Sequence, residues 1–396
     1  MKKLSLLASL AVMGASAYAA GPLLQIGDDL DVSFIGSVIG SWTNNVTWSS
    51  QKTYDDYRIT TRLGGEAVYG KSKSFTVKAK AYEDLNRYTQ LSRFDSNLAN
   101  VYVNGVYQSD IFNAGAHFSF VQSAQNTETT VNDLPEGVLA RTNNVKVGVN
   151  ASYIVSNKLI VDAGFDYVYV HYTNMQNLYT DSTAYIVPVS LLYKITDKLS
   201  AGLSYMYRQT NYSDDNMSES KWASRWLYGD RTQDHFIGVT LRGEITSKLS
   251  TEIYLGATVR DTSDAQIDND DTAFAFSAKF DYQISDKASV YVKGLRDFGN
   301  GAQRQNSLST GVDVGVNYEL SAYIKSYAFG GYRYSDYINS PAGRKDDKLF
   351  AGAGISYSPV SWASVSLGYT YYDNSSTMAS ASYMAHVASA SLSIKY

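Results

Sequence analysis

The chain has 396 residues, of which 44% are hydrophobic, 18% charged and 13% aromatic, and it contains 34 tyrosines, 29 glycines and no cysteine. The lack of cysteine excludes a disulfide scaffold, a thiolate metal site and a cysteine nucleophile, and a formal charge of -4 excludes the basic footprint of a nucleic-acid-binding protein. No apolar run approaches the ~20 residues of a spanning helix, so the composition also excludes a helical membrane protein.

The start of the chain has the layout of a secretion signal. A basic start and the apolar stretch Leu4–Met13 precede Ala17–Ala19, which places small residues at the two positions that a signal peptidase reads. This layout predicts cleavage after Ala19. Residues 1–19 are then the signal peptide, and residues 20–396 are the exported domain.

From residue 30 onward, apolar and polar residues alternate with a period of two. A strand with one apolar face requires this alternation, and no segment has the apolar spacing of a long helix. The alternation predicts eighteen strands, at residues 30–43, 57–69, 74–83, 97–107, 111–121, 144–155, 158–171, 184–193, 199–208, 236–245, 249–260, 273–283, 288–296, 308–319, 322–334, 348–357, 362–372 and 384–396.

Connections between these strands alternate between short and long. Ser156-Asn157 and Thr246-Ser247-Lys248 are two of the tight turns. The connections that alternate with the tight turns are much longer. Short turns on one side, long loops on the other and an even strand number are typical of an outer-membrane barrel. We therefore predict an all-β fold, a transmembrane antiparallel up-and-down β-barrel of about 18 strands, with short periplasmic turns and long extracellular loops. Barrels of 16 or 20 strands also fit the pattern.

Aromatic residues at both ends of the apolar faces distinguish this barrel from a water-soluble sandwich. Tyrosines such as Tyr69 and Tyr153 lie at the turn ends, and a second aromatic set lies roughly 25 Å away. The opposite face carries charges that a protein core would exclude but a wet lumen accepts. The predicted pore-lining residues are Arg58, Arg62, Glu66, Lys78, Lys80, Lys146, Asp162, Asp166, Arg242, Glu244, Glu252 and Arg260.

Two further expectations follow from individual positions. Pro188 lies inside the eighth predicted strand and lacks a ladder donor, which predicts a β-bulge there. On the lumen-facing positions the sequence gives eleven bases and eight acids, an excess that predicts a weak preference for anions.

Repeated hairpin starts and the end of the chain resemble known outer-membrane proteins. Lys198-Leu199-Ser200 and Lys248-Leu249-Ser250 recur after tight turns, and the chain ends in Leu392-Ser393-Ile394-Lys395-Tyr396. This ending is similar to the assembly signal of outer-membrane proteins, although the usual last residue is phenylalanine. The chain thereby resembles the bacterial family called putative β-barrel porin type 2. The resemblance implies a porin-like barrel in the outer membrane of a Gram-negative bacterium, inserted by the barrel assembly machinery.

Other chemistry has weak support in the sequence. His117, His171, His235 and His386 lie in or beside different strands without metal-ligand spacing. His117 and Ser119 share the lumen face, but no orienting carboxylate is visible nearby in the sequence. An acidic loop could bind calcium but lacks the glycine and terminal glutamate of an EF-hand; its members are Asp261, Asp264, Asp268, Asp270 and Asp271. We therefore predict no catalytic residues, metal or cofactor, and no enzyme activity.

The longest connections are residues 122–143 and 209–234. The second contains Trp222, Trp226 and Tyr228, which are candidates for stacking on sugar rings. Packing of these aromatic side chains into the barrel mouth is the alternative.

These features predict an outer-membrane porin that passes small hydrophilic solutes by diffusion. A polysaccharide export barrel and a structural or adhesive barrel with closed loops are the alternatives. The expected partners are outer-membrane lipid and lipopolysaccharide, the barrel assembly machinery and small hydrophilic solutes, without nucleic acid. A homo-oligomer is compatible with the sequence.

Overall fold

The computed structural model describes residues 22–50, 53–71, 74–126, 139–176, 179–213, 230–263, 268–301, 306–338, 340 and 343–396. The predicted signal peptide, residues 1–19, lies outside these ranges, as do Trp222, Trp226 and Tyr228. Within the described ranges, the helical elements are two 3₁₀ turns, Ser92–Phe94 and Ala379–Ala381. None of the helices described there is long and apolar enough to cross a membrane.

Strands make up almost all of the described chain. The first, β1 (Leu24–Ile26), is short and pairs with the start of the next strand. The long strands are β2 (Leu30–Thr43), β3 (Asp56–Tyr69), β4 (Phe75–Tyr88), β5 (Ser96–Gln108), β6 (Phe112–Asn126), β7 (Leu139–Ser156), β8 (Leu159–Tyr172), β9 (Ser182–Lys194), β10 (Leu199–Tyr212), β11 (Arg231–Thr246), β12 (Leu249–Ser263), β13 (Asp268–Ser285), β14 (Ala288–Asn300), β15 (Asn306–Glu319), β16 (Ile324–Ile338), β17 (Lys345–Val360), β18 (Ala363–Ser376) and β19 (Tyr383–Lys395).

Each long strand pairs antiparallel with its neighbour in sequence, and the last pairs with the first. In that closing pair, Leu392 lies opposite Val38 and Ile394 opposite Gly36. The sheet is therefore a closed barrel of the eighteen strands β2 to β19. The predicted strand number and fold class are confirmed.

The two faces of the barrel differ as the alternation predicts. Outward positions carry large apolar side chains, and Leu203 and Ile237 are 65% and 66% exposed. Aromatic residues at the turn ends are exposed on the same face and form the predicted girdle: Tyr69, Tyr107, Tyr153, Tyr193, Tyr282, Tyr318, Tyr357 and Tyr396. An apolar band bounded by aromatic residues is the outer surface that lipid requires.

We call the side of the barrel with the tight turns the turn end, and the other side the loop end. Four tight turns have two residues each, and a register shift accompanies each one, for example between Ile154 and Ser156. Such bulges increase the local strand twist, which favours a tightly closed hairpin.

Pro188 is accommodated without the predicted bulge. Pairing between β8 and β9 continues in one register on both sides of it, from Ala163 opposite Val189 to Asp166 opposite Ile186. Between these pairs the ladder is interrupted, because proline donates no hydrogen bond. Gly164 lies opposite, where a Cβ atom would stand 3.2 Å from the proline Cγ. A glycine on the neighbouring strand therefore makes the room that a bulge was expected to provide.

Candidate functional site

The inner face of the barrel is the candidate functional site. All the predicted pore-lining residues occupy inward positions, and the strand register places opposite charges beside each other. Glu66 faces Lys80, and Arg242 faces Glu252.

Most of these charges are compensated by neighbours on the same wall. Arg62 Nε lies 2.7 Å from Asp84 Oδ1, and Arg242 Nη2 lies 2.9 Å from Asp162 Oδ2. The Lys395 ammonium lies 2.5 Å from Glu66 Oε1. A lumen lined in this way is polar, and much of its charge is neutralised locally.

The sequence-based charge count is incomplete, in part because several inward charges lie just past the predicted strand ends. The additional acids on this face are Asp31, Asp56, Asp84, Asp234, Asp271, Asp297 and Asp346. The additional bases are Lys194, Arg208, Arg344, Lys348 and Lys395. Together they remove most of the excess of positive charge, and with it most of the basis for the expected anion preference.

Three inward charges, Arg208, Asp234 and Arg260, form a buried cluster near the loop end. Asp234 accepts hydrogen bonds from Arg208 Nε at 2.6 Å and from Arg260 Nε at 2.6 Å. Both the Asp234 and the Arg260 side chains are 0% exposed. Arg260 lies on the inner face as predicted, but its burial means that it does not face a water-filled channel.

The cover over this cluster comes from the loop ends of β14 and β15. β13 pairs with β14 only from the turn end up to Phe276 opposite Arg296, whereas β14 pairs with β15 as far as Asn300 opposite Asn306. The loop end of β14 thus separates from β13, and it bends inward together with the paired end of β15. Phe298 becomes 2% exposed, with its ring centroid 4.9 Å from the Arg260 guanidinium carbon.

Hydrogen bonds hold this inward bend on the inner faces of β10 to β12. Arg208 donates to Asp297 Oδ2 and to the Phe298 carbonyl, both at 3.1 Å. Asn300 Nδ2 donates to Thr210 Oγ1 at 2.9 Å. Asn306 Nδ2 donates a hydrogen bond of 3.2 Å to Thr262 Oγ1 on β12. We call the buried cluster and the bend that it holds the β14–β15 clamp.

The connection between β2 and β3 also lies against the inner wall at the loop end. Trp48 packs edge-on against Tyr372 and Tyr383, with ring centroids 5.2 Å apart in both pairs. Asn45 Nδ2 donates to the Met384 carbonyl at 2.8 Å. Two segments from different parts of the chain therefore narrow the loop end.

His117 has the carboxylate partner that the sequence did not reveal. Its Nε2 atom lies 2.9 Å from Asp166 Oδ1, and Lys146 Nζ lies 3.3 Å from Asp166 Oδ2. Gly148 lies between them on the intervening strand, and a Cβ there would stand 2.0 Å from the carboxylate. The glycine therefore lets two side chains meet across β7.

The other three histidines face outward. Tyr205 Oη lies 2.8 Å from His235 Nδ1, and Tyr369 Oη lies 2.6 Å from His386 Nδ1. His171 stacks on Tyr169. These histidines belong to the loop-end aromatic girdle.

The predicted acidic loop is largely strand. β12 extends to Ser263 and β13 begins at Asp268, so that Asp261 and Asp270 are directly opposite each other on the outer face. Asp264 lies outside the described residues. In the described part of the chain, no group of three or more metal-ligating side chains is assembled.

Solved structures of outer-membrane proteins are similar to the chain at low sequence identity. The outer membrane protein OpdK of Pseudomonas aeruginosa is 10% identical, with a TM-score of 0.47 over 92% of this chain and 99% of that one. OpdQ of the same organism is 13% identical, with a TM-score of 0.46 over 94% and 99%. OmpT of Vibrio cholerae is 15% identical, with a TM-score of 0.42 over 95% and 100%. At these identities the likeness concerns the fold alone.

No curated protein sequence matches the chain at a significant level. The family described as Putative beta-barrel porin 2 matches residues 234–396, from the clamp residue Asp234 to the last residue of the chain. The resemblance to this porin family that the sequence predicts is thus confirmed over residues 234–396.

Proposed function

We propose that this protein is a porin through which small hydrophilic solutes diffuse across the outer membrane of a Gram-negative bacterium. The observation that carries the proposal is the closed barrel of eighteen long strands with a polar, charged inner wall and an apolar outer wall. Barrels of 16 to 18 strands leave an aqueous channel. The match to a porin family over residues 234–396 supports the same function.

The two inward segments at the loop end favour small solutes over polymers. The β14–β15 clamp and the Trp48 segment both take up space inside the loop end. A polysaccharide chain needs an unobstructed path, whereas a small solute can pass beside such segments. We therefore rank the porin above the export barrel.

A channel also explains the inner wall better than an enzyme does. Its charged groups are distributed over many strands and largely held in ion pairs such as Arg62–Asp84. A catalytic site concentrates such groups at one point where a reacting atom can sit.

Insertion into the outer membrane completes the proposal. We propose that the signal peptide of residues 1–19 directs export, and that the barrel assembly machinery recognises the last strand. In support, the Tyr396 backbone pairs with Phe34, at 3.0 Å from Tyr396 N to Phe34 O. Lipid and lipopolysaccharide would then surround the apolar band.

Single-channel recording with refolded protein in planar bilayers tests the proposed function. We expect discrete conductance steps, together with permeation of small sugars into proteoliposomes. Folded protein that gives no conductance would identify a structural barrel. A current blocked by long polysaccharide but unaffected by small solutes would identify an export barrel.

A further inference from the structure

A recess opens in the inner wall of β5, β6 and β7, in the half of the barrel nearer the turn end. Its volume is about 280 Å³. We call it the β5–β7 niche, and its lining includes Asn104, Gln108, Asn113, His117, Asn150 and Ser152. Gly115 creates part of the space, because a Cβ there would lie 2.6 Å from Asn150 Oδ1.

The niche is rich in amide groups that are available to a ligand. Asn104, Gln108, Asn113 and Asn150 each present a carboxamide, which donates and accepts hydrogen bonds at once. In the described part of the chain, none of these four side chains has a hydrogen-bond partner. The charged residues of the wall, by contrast, are mostly used up in ion pairs with one another. The niche is thus a stretch of the described wall where several neutral hydrogen-bonding groups remain available.

An aromatic surface borders the niche. Tyr102 lies two residues from Asn104 on the same inner face of β5 and is 36% exposed. Its ring stacks on that of Tyr82, with centroids 6.1 Å apart. The one titratable lining residue, His117, is already engaged with Asp166, so the niche carries little uncompensated charge.

We infer that the β5–β7 niche binds one ring of a neutral saccharide. Sugar hydroxyls both donate and accept, which matches carboxamides better than it matches fixed charges. The apolar C–H face of a sugar ring packs on an aromatic ring such as Tyr102. This inference deepens the proposed function, on which it rests for its biological sense, by naming neutral sugars as the preferred solutes.

Saturation-transfer NMR on refolded protein in detergent micelles tests the inference without requiring conductance. Glucose and maltose are the probes, because both are neutral and small. We expect saturable transfer from the protein to the sugar protons. The Asn104→Ala, Asn150→Ala double variant should bind at least about fivefold more weakly, because it loses two hydrogen-bonding groups. Asn317→Ala, which removes an inward amide from β15, is the matched control and should bind like the parent.

Heat-modifiable migration reports whether each variant has folded. If the double variant fails to fold, Tyr102→Ala replaces it, with the same loss of affinity expected. The absence of saturable transfer in the parent, or equal affinity in the parent and the folded niche variants, overturns the inference. Sugar binding by a barrel that does not conduct would retain the niche while refuting the porin. Conductance without sugar binding would support the porin and refute the sugar site in the niche.

Discussion

Asp234 and Arg260 face each other on neighbouring strands with both side chains fully buried, inside a barrel whose other inward charges are mostly accessible. Burying an ion pair costs desolvation energy, which its attraction offsets only when further hydrogen bonds complete it. Here Arg208 and the inward ends of β14 and β15 supply those bonds. The charge cluster and the bend therefore depend on each other.

Asp234→Asn should release the β14–β15 clamp. It leaves two buried guanidinium groups without their shared carboxylate, a change that costs about 3–5 kcal/mol when a buried pair is broken. We expect larger single-channel conductance, because the bend no longer occupies the loop end. Asp281→Asn, which alters an exposed pair with Lys279, is the control and should conduct like the parent. Unchanged conductance in Asp234→Asn would show that the bend does not limit the channel.

Arginine substitutions on β7 test the assignment of faces. Val149 is exposed on the outer face, and Asn150 points into the lumen. We expect Val149→Arg to lower the free energy of unfolding by about 2–4 kcal/mol, since lipid does not solvate the charge. Asn150→Arg should cost far less because water reaches it. Urea unfolding of both variants in micelles or vesicles makes the comparison, and equal losses would contradict the assignment.

Asn150 is the inward position used for comparison because some other inward positions have no room for arginine. Thr240 is inward but 3% exposed, and a Cβ at Gly315 would lie 2.3 Å from the Tyr291 ring. Arginine at either position would be costly for reasons unrelated to lipid.

Deleting residues 392–396 should abolish membrane insertion. The deletion removes the pairs of Leu392 with Val38 and of Ile394 with Gly36, which close the barrel. Deleting Leu24–Ile26 is the control, because β1 pairs with Leu30–Val32 of β2 and makes none of the pairs between β19 and β2. Heat-modifiable migration in outer-membrane fractions is the measurement. A band that migrates as folded protein in the C-terminal truncation would contradict the prediction.

Lys78→Glu, Lys80→Glu should shift the reversal potential in a salt gradient toward cation preference. Both lysines face inward on β4, where Lys78 is exposed. The parent should be close to unselective, because the inner charges nearly balance. With a Debye length of about 8 Å at physiological ionic strength, the effect should be larger in dilute salt. If the potential of the variant matches that of the parent, these lysines lie away from the conducting path.

Strand number and facing could be predicted because lipid enforces strict alternation on every strand between the two aromatic girdles. Past the girdles lipid no longer enforces the alternation, so the sequence does not show where each strand ends. Asp84 and Asp297 therefore lie outside the predicted strands, although both are on the inner wall. The contact of Arg208 with Asp297 joins residues 89 positions apart and leaves no local pattern. The bulge expected at Pro188 is absent for a similar reason, since the compensating Gly164 lies on the neighbouring strand.

The pairing of β19 with β2 also has a kinetic meaning. Every other long strand pairs with its neighbour in sequence, so those contacts form locally, whereas Leu392 and Val38 come together across nearly the whole chain. Non-local pairings are slow, because the entropy of closing the intervening chain is lost before they stabilise anything. Until that last step the growing sheet has two open edges, and an open edge is a template for aggregation. This protein therefore most needs a chaperone between its export and the closure of the barrel.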